Sequence, residues 1–266
     1  MGAATPLVTY ERYGNGVVVL TLNNPPLNLI TLDMTAQMIA MMDRLEDDPE
    51  ARAVVIRGSG SKAFCAGADI KEFTAVRDQV VEKKLAKENE AWSRIERLSK
   101  PVIAAMEGVV LGGGCEIALA CDLRVMSATG RIGLPEINLG VFPGSGGLFR
   151  LSELIGPSRA KELLYLGEPI DAQEALKIGL INRIAPEGET LQAAVALAEK
   201  IAAKSATAIA MIKSGVKKSL GMSRADAVAL SLELSDAVFR TDDCAEGISA
   251  FFEKRTPIFN KSKGRG

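Results

Sequence analysis

Short apolar runs separated by glycine-rich turns fill the first half of the chain and predict strands. Runs rich in β-branched residues flank a glycine-asparagine turn at 14–16, which is typical of an antiparallel hairpin between residues 8–13 and 17–22. Three later runs are apolar except for Arg124, as expected for strands buried on both faces of a largely parallel sheet. These buried strands are predicted at 53–56, 102–106 and 123–126.

Helical spacing of apolar residues predicts the elements between and after these strands. A helix is predicted to begin after Thr31, which caps it, and to end near Asp48 and Pro49. The charged stretch from Arg77 to Leu98 is predicted as a helix with an apolar stripe that lies mostly on the surface. Later segments are predicted as helices at 148–155, 158–166 and 172–178, a strand at 180–184, and three or four alanine-rich helices between 189 and 252.

The order of these elements predicts an α/β fold built from repeated strand-strand-helix units. At 266 residues the chain is long enough for one large domain with a helical appendage. We therefore expect residues 1–190 to form the core that carries the active site. Residues 191–266 are expected to form a helical C-terminal region.

Composition narrows the chemistry that the chain can perform. The 32 basic residues nearly balance the 33 acidic ones, so the overall charge favours neither a nucleic-acid partner nor an anionic membrane. No apolar run is long enough to span a bilayer and the first residues lack a secretory pattern, so we expect a cytoplasmic protein. The absence of histidine excludes histidine-based catalytic triads, histidine-ligated zinc and imidazole acid–base catalysis. The four cysteines form no C-x-x-C pair and are predicted to be mostly buried, reduced thiols.

Two glutamates beside glycine-rich turns are the candidate catalytic groups. Glu116 follows the triple glycine at 112–114, and Glu136 follows Pro135 in a predicted loop. If the turns at 66–68 and 112–114 meet in space, their backbone N–H groups would bind a developing oxyanion. Each feature alone also has a structural explanation, because glycines allow close packing, a first-turn acid stabilises a helix, and a loop acid is often merely solvated. Their combination in a chain without histidine favours a carboxylate-based active site.

Four segments of the chain resemble the signatures of a known family. FCAGADIKEF, EGVVLGGGCEIALACD, GLPEINLGVFPGSGG and EGISAFFEKRTPIF resemble, in order and spacing, those of the enoyl-CoA hydratase (crotonase) family. The resemblance implies a crotonase-like spiral of repeated strand-strand-helix units with a helical C-terminal region for trimerisation and coenzyme A contact. It implies a homo-oligomer, a trimer or a dimer of trimers. The implied activity is reversible hydration of the 2,3 double bond of an enoyl-CoA thioester, in fatty-acid or related acyl-CoA degradation, with no metal and no cofactor besides the coenzyme A of the substrate.

The same resemblance implies roles for individual residues. It places an oxyanion hole at the backbone N–H groups of Ala68 and Gly113, and a catalytic pair at Glu116 and Glu136. The residues implied to contact the substrate are Lys62, Ala66, Ala68, Asp69, Ile70, Lys71, Gly113, Gly144 and Lys254.

Departures from the family pattern and other functions leave alternatives open. Leu148-Phe149-Arg150 stands where many relatives have Thr-Gln-Arg, and Glu107 stands where asparagine is common, so the preferred acyl chain is left open. An enoyl-CoA double-bond isomerase or another acyl-CoA lyase is the alternative among enzymes, although the presence of Glu116 favours hydration. An RNA-binding homologue is the alternative outside enzymes. The lysines that would serve it are Lys83, Lys84 and Lys87, and the acids that dilute their charge are Glu82, Glu88 and Glu90.

Overall fold

The computed structural model describes residues 6–260 as strands in two sheets, surrounded by helices. The strands are β1 (Val8–Tyr13), β2 (Val17–Leu22), β3 (Ala53–Gly58), β4 (Ala63–Cys65), β5 (Val102–Met106), β6 (Val109–Leu111), β7 (Leu123–Ser127), β8 (Arg131–Gly133), β9 (Ile170–Asp171) and β10 (Arg183–Ala185). The α-helices are α1 (Leu32–Glu46), α2 (Ile70–Val76), α3 (Ala86–Arg97), α4 (Gly113–Ala120), α5 (Gly147–Ile155), α6 (Pro157–Leu166), α7 (Ala172–Lys177), α8 (Thr190–Ala202), α9 (Ala206–Ser219), α10 (Arg224–Phe239) and α11 (Asp242–Phe252).

Parallel pairing dominates both sheets. The larger sheet has the order β1-β2-β3-β5-β7-β10, and only its β1–β2 pair is antiparallel. The smaller sheet has the order β4-β6-β8-β9, in which only β8–β9 is antiparallel. Strands of the two sheets therefore alternate along the chain with helices, as the predicted strand-strand-helix units require.

The hairpin, the first helix and the buried strands confirm the sequence predictions. Val8 pairs with Leu22 and Tyr13 with Val17, so the turn sets the register of the hairpin. The hydroxyl of Thr31 accepts a hydrogen bond from the amide of Met34 and caps α1. The large-sheet strands β3, β5 and β7 begin where the apolar runs predict them.

The charged stretch after α2 departs from the predicted single surface helix. A 3₁₀ turn at Arg77–Gln79 and a π-helical turn at Val81–Leu85 precede α3. A π turn contains one more residue than an α-helical turn. Side chains before and after it therefore do not follow a single helical period, and an apolar stripe predicted with one period does not continue through it. Val81, an apolar residue of this stretch, is 67% exposed, whereas the side chain of Lys84 is fully buried. Most of the segment lies on the surface, as predicted, and the face toward the core buries Glu88, Ala91, Trp92 and Ile95 besides Lys84.

Other differences concern short elements. The strand predicted at 180–184 begins later than expected: Leu180 and Ile181 are buried but lie outside a strand, and β10 begins only at Arg183. Glu136 lies in a 3₁₀ turn at Pro135–Leu139 rather than in an irregular loop. All four cysteines are free, three of them are buried, and Cys244 is half-buried.

The helices at the end of the chain fall into two groups. Helix α8 packs on one face of the larger sheet, where Ala194, Leu197 and Ala198 join the apolar cluster that includes Val19 and Ile103. Because α8 covers the sheet, it belongs with the core in packing, although a boundary after residue 190 assigns it to the C-terminal region. Helices α9–α11 follow it. No helix among residues 6–260 is both long enough and apolar enough to cross a membrane.

Candidate active site

Two backbone amides from separate turns border one space. Ile30 forms a parallel bridge with Ala68 in which its N–H donates to Gly67 O and its carbonyl accepts from Asp69 N, each at 2.9 Å. This pattern leaves the N–H of Ala68 outside the pairing. Gly113 is the first residue of α4, where an N–H has no partner within the helix. A Cβ atom placed on Gly113 would lie 3.8 Å from the Ala68 nitrogen, so the two amides are neighbours.

The triple glycine is required by what surrounds it. Gly112 has a φ of +52°, a backbone conformation that favours glycine, and a Cβ atom there would lie 3.2 Å from Oε1 of Glu136. Gly114 packs so closely on Cys65 that a Cβ atom would lie 2.2 Å from its carbonyl oxygen. The glycines therefore both bring α4 against β4 and keep the space beside the carboxylates open.

Glu116 is buried and held by one of its two oxygens. Oε1 accepts hydrogen bonds from the amides of Ser145 at 2.8 Å and Gly147 at 2.9 Å. Oε2 lies 4.0 Å from the position of a Cβ atom on Gly113, on the side of the two amides. Burial, assisted by the charges of Glu136 and Glu88, raises the pKa of Glu116 to about 8, although the two N–H donors lower it.

Glu136 approaches the same triple glycine at Gly112. Its Oε1 lies beside Gly112, and its Oε2 is buried without a hydrogen-bond partner among residues 6–260. Burial raises the pKa of Glu136 to about 6. Because the two carboxyl groups interact, they titrate as a pair, and near pH 7 the pair holds about one proton, mainly on Glu116. The buried oxygen of Glu136 without a partner and the hydrogen-bonded carboxylate of Glu116 together suit the binding of a polar group between them.

The predicted substrate residues near Ala68 form a strip along one turn and the start of α2. Ala66 donates its N–H to Leu27 O at 2.9 Å, which fixes the turn. The carboxylate of Asp69 caps α2 by accepting the N–H of Lys71 at 2.9 Å. Lys62, Ile70 and Lys71 are exposed, so their side chains are open to a ligand.

The remaining two predicted substrate residues lie apart from this strip. Gly144 begins the turn that holds Glu116, and its carbonyl accepts the side-chain amide of Asn89 at 2.8 Å. Lys254 follows α11 and is exposed. Among residues 6–260 its side chain has no hydrogen bond or ion pair to either glycine turn.

Sequence reasoning did not identify the groups that hold Glu116. The cluster of Gly144, Gly146 and Gly147 was visible in the sequence, but its role as donor of N–H groups depends on a contact about thirty residues distant. The hydroxyl of Ser145 donates to buried Glu88 at 2.6 Å, a contact that no local pattern indicates. A serine between glycines, after a proline, was the available signal.

Comparison with known proteins decides the family. A model of the enoyl-CoA hydratase/isomerase family matches residues 12–262. The chain belongs to this family. It is 39% identical over 249 residues to a short-chain-enoyl-CoA hydratase of Clostridium acetobutylicum, covering 93% of this chain and 95% of that protein. It is 35% identical to a crotonyl-CoA hydratase of Syntrophomonas wolfei, covering 91% of this chain and 94% of that protein.

Solved structures of relatives confirm the crotonase-like fold. The enoyl-CoA hydratase of Bacillus anthracis superposes with a TM-score of 0.92 at 34% identity, covering 95% of this chain and 98% of that one. A Geobacillus kaustophilus structure described as an enoyl-CoA hydratase gives a TM-score of 0.92 at 36% identity, covering 97% and 98%. The predicted α/β spiral with C-terminal helices is therefore confirmed.

The lysines considered for RNA binding do not form one exposed row in this family member. Lys84 is fully buried, while Lys83 and Lys87 are exposed. Lys84 is therefore removed from any surface for nucleic acid.

Proposed function

We propose that the chain is an enoyl-CoA hydratase that adds water reversibly across the 2,3 double bond of an enoyl-CoA thioester. One observation carries the proposal: an oxygen of Glu116 and an oxygen of Glu136 both approach the glycines that border the amides of Ala68 and Gly113. Two carboxylates beside an oxyanion hole supply every group that the reaction needs. The hydratases named among the relatives support the same activity.

The amides of Ala68 and Gly113 would bind the thioester oxygen and stabilise the negative charge that develops on it. This polarisation makes Cβ electrophilic. Glu116 takes a proton from water as the oxygen of that water bonds to Cβ, and Glu136 gives a proton to Cα, so the π bond is replaced by C–O and C–H bonds. Dehydration reverses each transfer and begins with the proton on Glu116, which is the form favoured by its higher pKa.

The pH dependence of kcat/KM is expected to be bell-shaped, with limbs near pH 6 and pH 8 set by the pKa values of Glu136 and Glu116. Below the lower limb both carboxyl groups are protonated and no base is present. Above the upper limb both are ionised and no acid is present. Measuring hydration of a short enoyl-CoA from about pH 5 to about pH 10 checks the shape. A rate that stays constant across that range would contradict a mechanism in which one carboxyl group must be protonated and the other ionised.

The main alternative within the family is double-bond migration. That reaction needs one base beside the enolate, whereas this site holds a second carboxylate, Glu116, on two N–H donors in addition to Glu136. The arrangement favours hydration. Loss of the conjugated enoyl absorbance on a panel of thioesters tests hydration directly, and conversion of a 3-enoyl to a 2-enoyl thioester tests migration.

We propose that coenzyme A lies along the exposed strip formed by Lys62, Ile70 and Lys71, with the backbone at Ala66 and Asp69 beneath it. Exposure of the two lysines, which precede and follow Ala68 in the chain, supports this placement. Gly144 would border the acyl end because it begins the turn that holds Glu116. Lys254 would contribute to phosphate binding. No metal or additional cofactor enters the proposed chemistry.

We also propose that the protein is a trimer or a dimer of trimers. Helices α9–α11 expose large apolar side chains that one copy leaves uncovered. The most exposed of them are Leu232 at 67%, Phe239 at 72%, Phe251 at 79% and Phe252 at 77%.

Light scattering at micromolar concentration is expected to give the mass of three or six chains. Replacing Phe251 and Phe252 together by aspartate is expected to shift the mass toward one chain, because charged groups cannot be buried cheaply between copies. Val81→Asp, at an apolar residue that is 67% exposed and lies outside these helices, is the control. A wild-type protein that stays monomeric would refute the proposed assembly.

A cytoplasmic location and a place in fatty-acid or related acyl-CoA degradation complete the proposal. Their support is the substrate class suggested by the named hydratases among the relatives.

A further inference from the structure

A fully buried lysine lies close to the candidate active site and has no part in the chemistry proposed above. Lys84 belongs to the π-helical turn at Val81–Leu85, and its side chain has 0% exposure. Its ammonium group lies 3.2 Å from Glu88 Oε1 and 3.0 Å from Glu72 Oε2, and 5.3 Å from the ring centre of Phe73. A buried ammonium group is costly to desolvate, and an apolar side chain would pack there at lower cost.

The carboxylate of Glu88 connects Lys84 with the turn that holds Glu116. Glu88 accepts the hydroxyl of Ser145 at 2.6 Å, and the amide of the same serine donates to Glu116 at 2.8 Å. Asn89, the next residue of α3, donates to the carbonyl of Gly144 at 2.8 Å. Two successive residues of α3 therefore form hydrogen bonds with this turn.

The carboxylate of Glu72 connects Lys84 with the segment at residues 30–32, which pairs with Ala68. Both oxygens of Glu72 accept the N–H of Leu32, at 3.0 and 3.2 Å. Leu32 lies two residues after Ile30, whose bridge with Ala68 leaves the amide of Ala68 free of that pairing. Glu72 itself is in α2, which begins immediately after Asp69. One ammonium group thus connects the supports of both halves of the site.

We infer that Lys84 is a positioning residue that couples the turn holding Glu116 to the segment that presents the Ala68 amide. The inference rests on the proposed function, because it uses the roles given there to Glu116 and Ala68. Its position in the helical segment allows this, because Lys84 lies four residues before Glu88 and shares the face of the helix that buries Glu88. Lys83, the adjacent residue in the same turn, is exposed. Buried ion pairs that fix a geometry are the best-attested use of such costly groups.

The test uses two reactions that need different parts of the site. Hydration of an enoyl-CoA needs both glutamates and both amides. Exchange of the Cα proton of a saturated acyl-CoA for deuterium in D₂O needs the amides and Glu136, which takes the proton and returns a deuteron, but not Glu116. Lys84→Met is expected to lower kcat for both reactions by about 10- to 100-fold, with KM little changed, because small misplacements have effects of this size. Lys83→Met is the matched control and is expected to behave as wild type.

Removing each of the two connections separately shows which half of the site it supports. Ser145→Ala removes the hydroxyl that meets Glu88 but keeps the N–H that meets Glu116. It is expected to lower hydration by about 10-fold and to leave proton exchange near the wild-type rate. Glu72→Ala is expected to lower both reactions by the same factor, because it acts on the segment that presents the Ala68 amide.

A folding control keeps the result interpretable. If Lys84→Met does not fold because Glu88 is left as a buried, unpaired charge, the double variant Lys84→Met/Glu88→Gln removes both charges and retains an oxygen for Ser145. This double variant is expected to fold and to remain slow in both reactions. Wild-type kcat in the double variant, or equal rates in folded Lys84→Met and Lys83→Met, would overturn the inference while leaving the proposed function intact. A wild-type protein that performs neither reaction would instead refute the proposed function.

Discussion

Gly113→Pro is expected to lower the rate of enoyl-CoA hydration by about 100- to 1,000-fold, the usual effect of removing one oxyanion donor. Proline has no N–H group, so the substitution deletes one of the two donors that face the thioester oxygen. The amide of Ala68 remains. Hydration of a short enoyl-CoA under saturating conditions measures the loss.

The position of Gly113 makes this substitution informative. It is the first residue of α4, where proline is accepted because that N–H has no partner within the helix and the φ angle is already suitable. The one tight contact of a Cβ atom here would be with the end of a flexible side chain, at 2.7 Å from Ile30 Cδ1, whereas the Ala68 nitrogen and Glu116 Oε2 lie at 3.8 and 4.0 Å. We therefore expect Gly113→Pro to fold.

Gly113→Ala is the matched control. It introduces the same contact with Ile30 but keeps the N–H, so any loss shared by the two variants is steric. The difference between their rates measures the loss of the N–H group together with the proline ring that takes its place. Equal rates in the two folded variants would remove Gly113 from the oxyanion hole.

Elements with a strong local pattern could be predicted from the sequence, and elements made by distant pairing could not. The hairpin and α1 have a turn or cap and a full apolar period within their own residues. Strands β6, β8 and β9 have two or three residues each, and only their neighbours in the smaller sheet make them strands. Short segments of this kind carry no period to detect.

The same limit applies to the candidate site. The sequence indicated the two glycine turns and both glutamates, because glycine clusters and nearby acids are local features. It did not indicate that Ile30 would align the Ala68 amide, or that Ser145 and Gly147 would hold Glu116. These contacts join residues that lie about 30 or more positions apart.

Lys84 was misjudged for a physical reason. A lysine among charged neighbours is normally exposed, since burial of its ammonium group is costly without a partner. Its two carboxylate partners come from positions 72 and 88. Glu88 lies one helical turn away, but Glu72 belongs to α2, and no local pattern indicates that second contact.

Glu116→Gln is expected to lower hydration by several orders of magnitude, because glutamine cannot take the proton from water. The two N–H donors from Ser145 and Gly147 would still find an oxygen acceptor, so the turn should be retained. Thioester binding should persist because the amides of Ala68 and Gly113 are unchanged.

A stability measurement confirms that such a variant is folded. Burial raises the pKa of Glu116 from 4.5 to about 8, so ionising this group costs more in the folded than in the unfolded chain. The stability that its protonated form contributes is present below pH 4.5 and is lost as the pH rises through about 8. Glu116→Gln lacks this titration and should have a higher Tm than wild type at alkaline pH.

Glu136→Gln separates the two carboxylates. We expect it to lose both hydration and exchange of the Cα proton of a saturated acyl-CoA, because it removes the group assigned to Cα. Glu116→Gln should retain exchange, since the Ala68 and Gly113 amides still stabilise the enolate and Glu136 still moves the proton. Measuring both reactions on both purified variants decides the roles. If Glu116→Gln hydrates normally, its assignment to water is wrong and double-bond migration becomes the better function for this site.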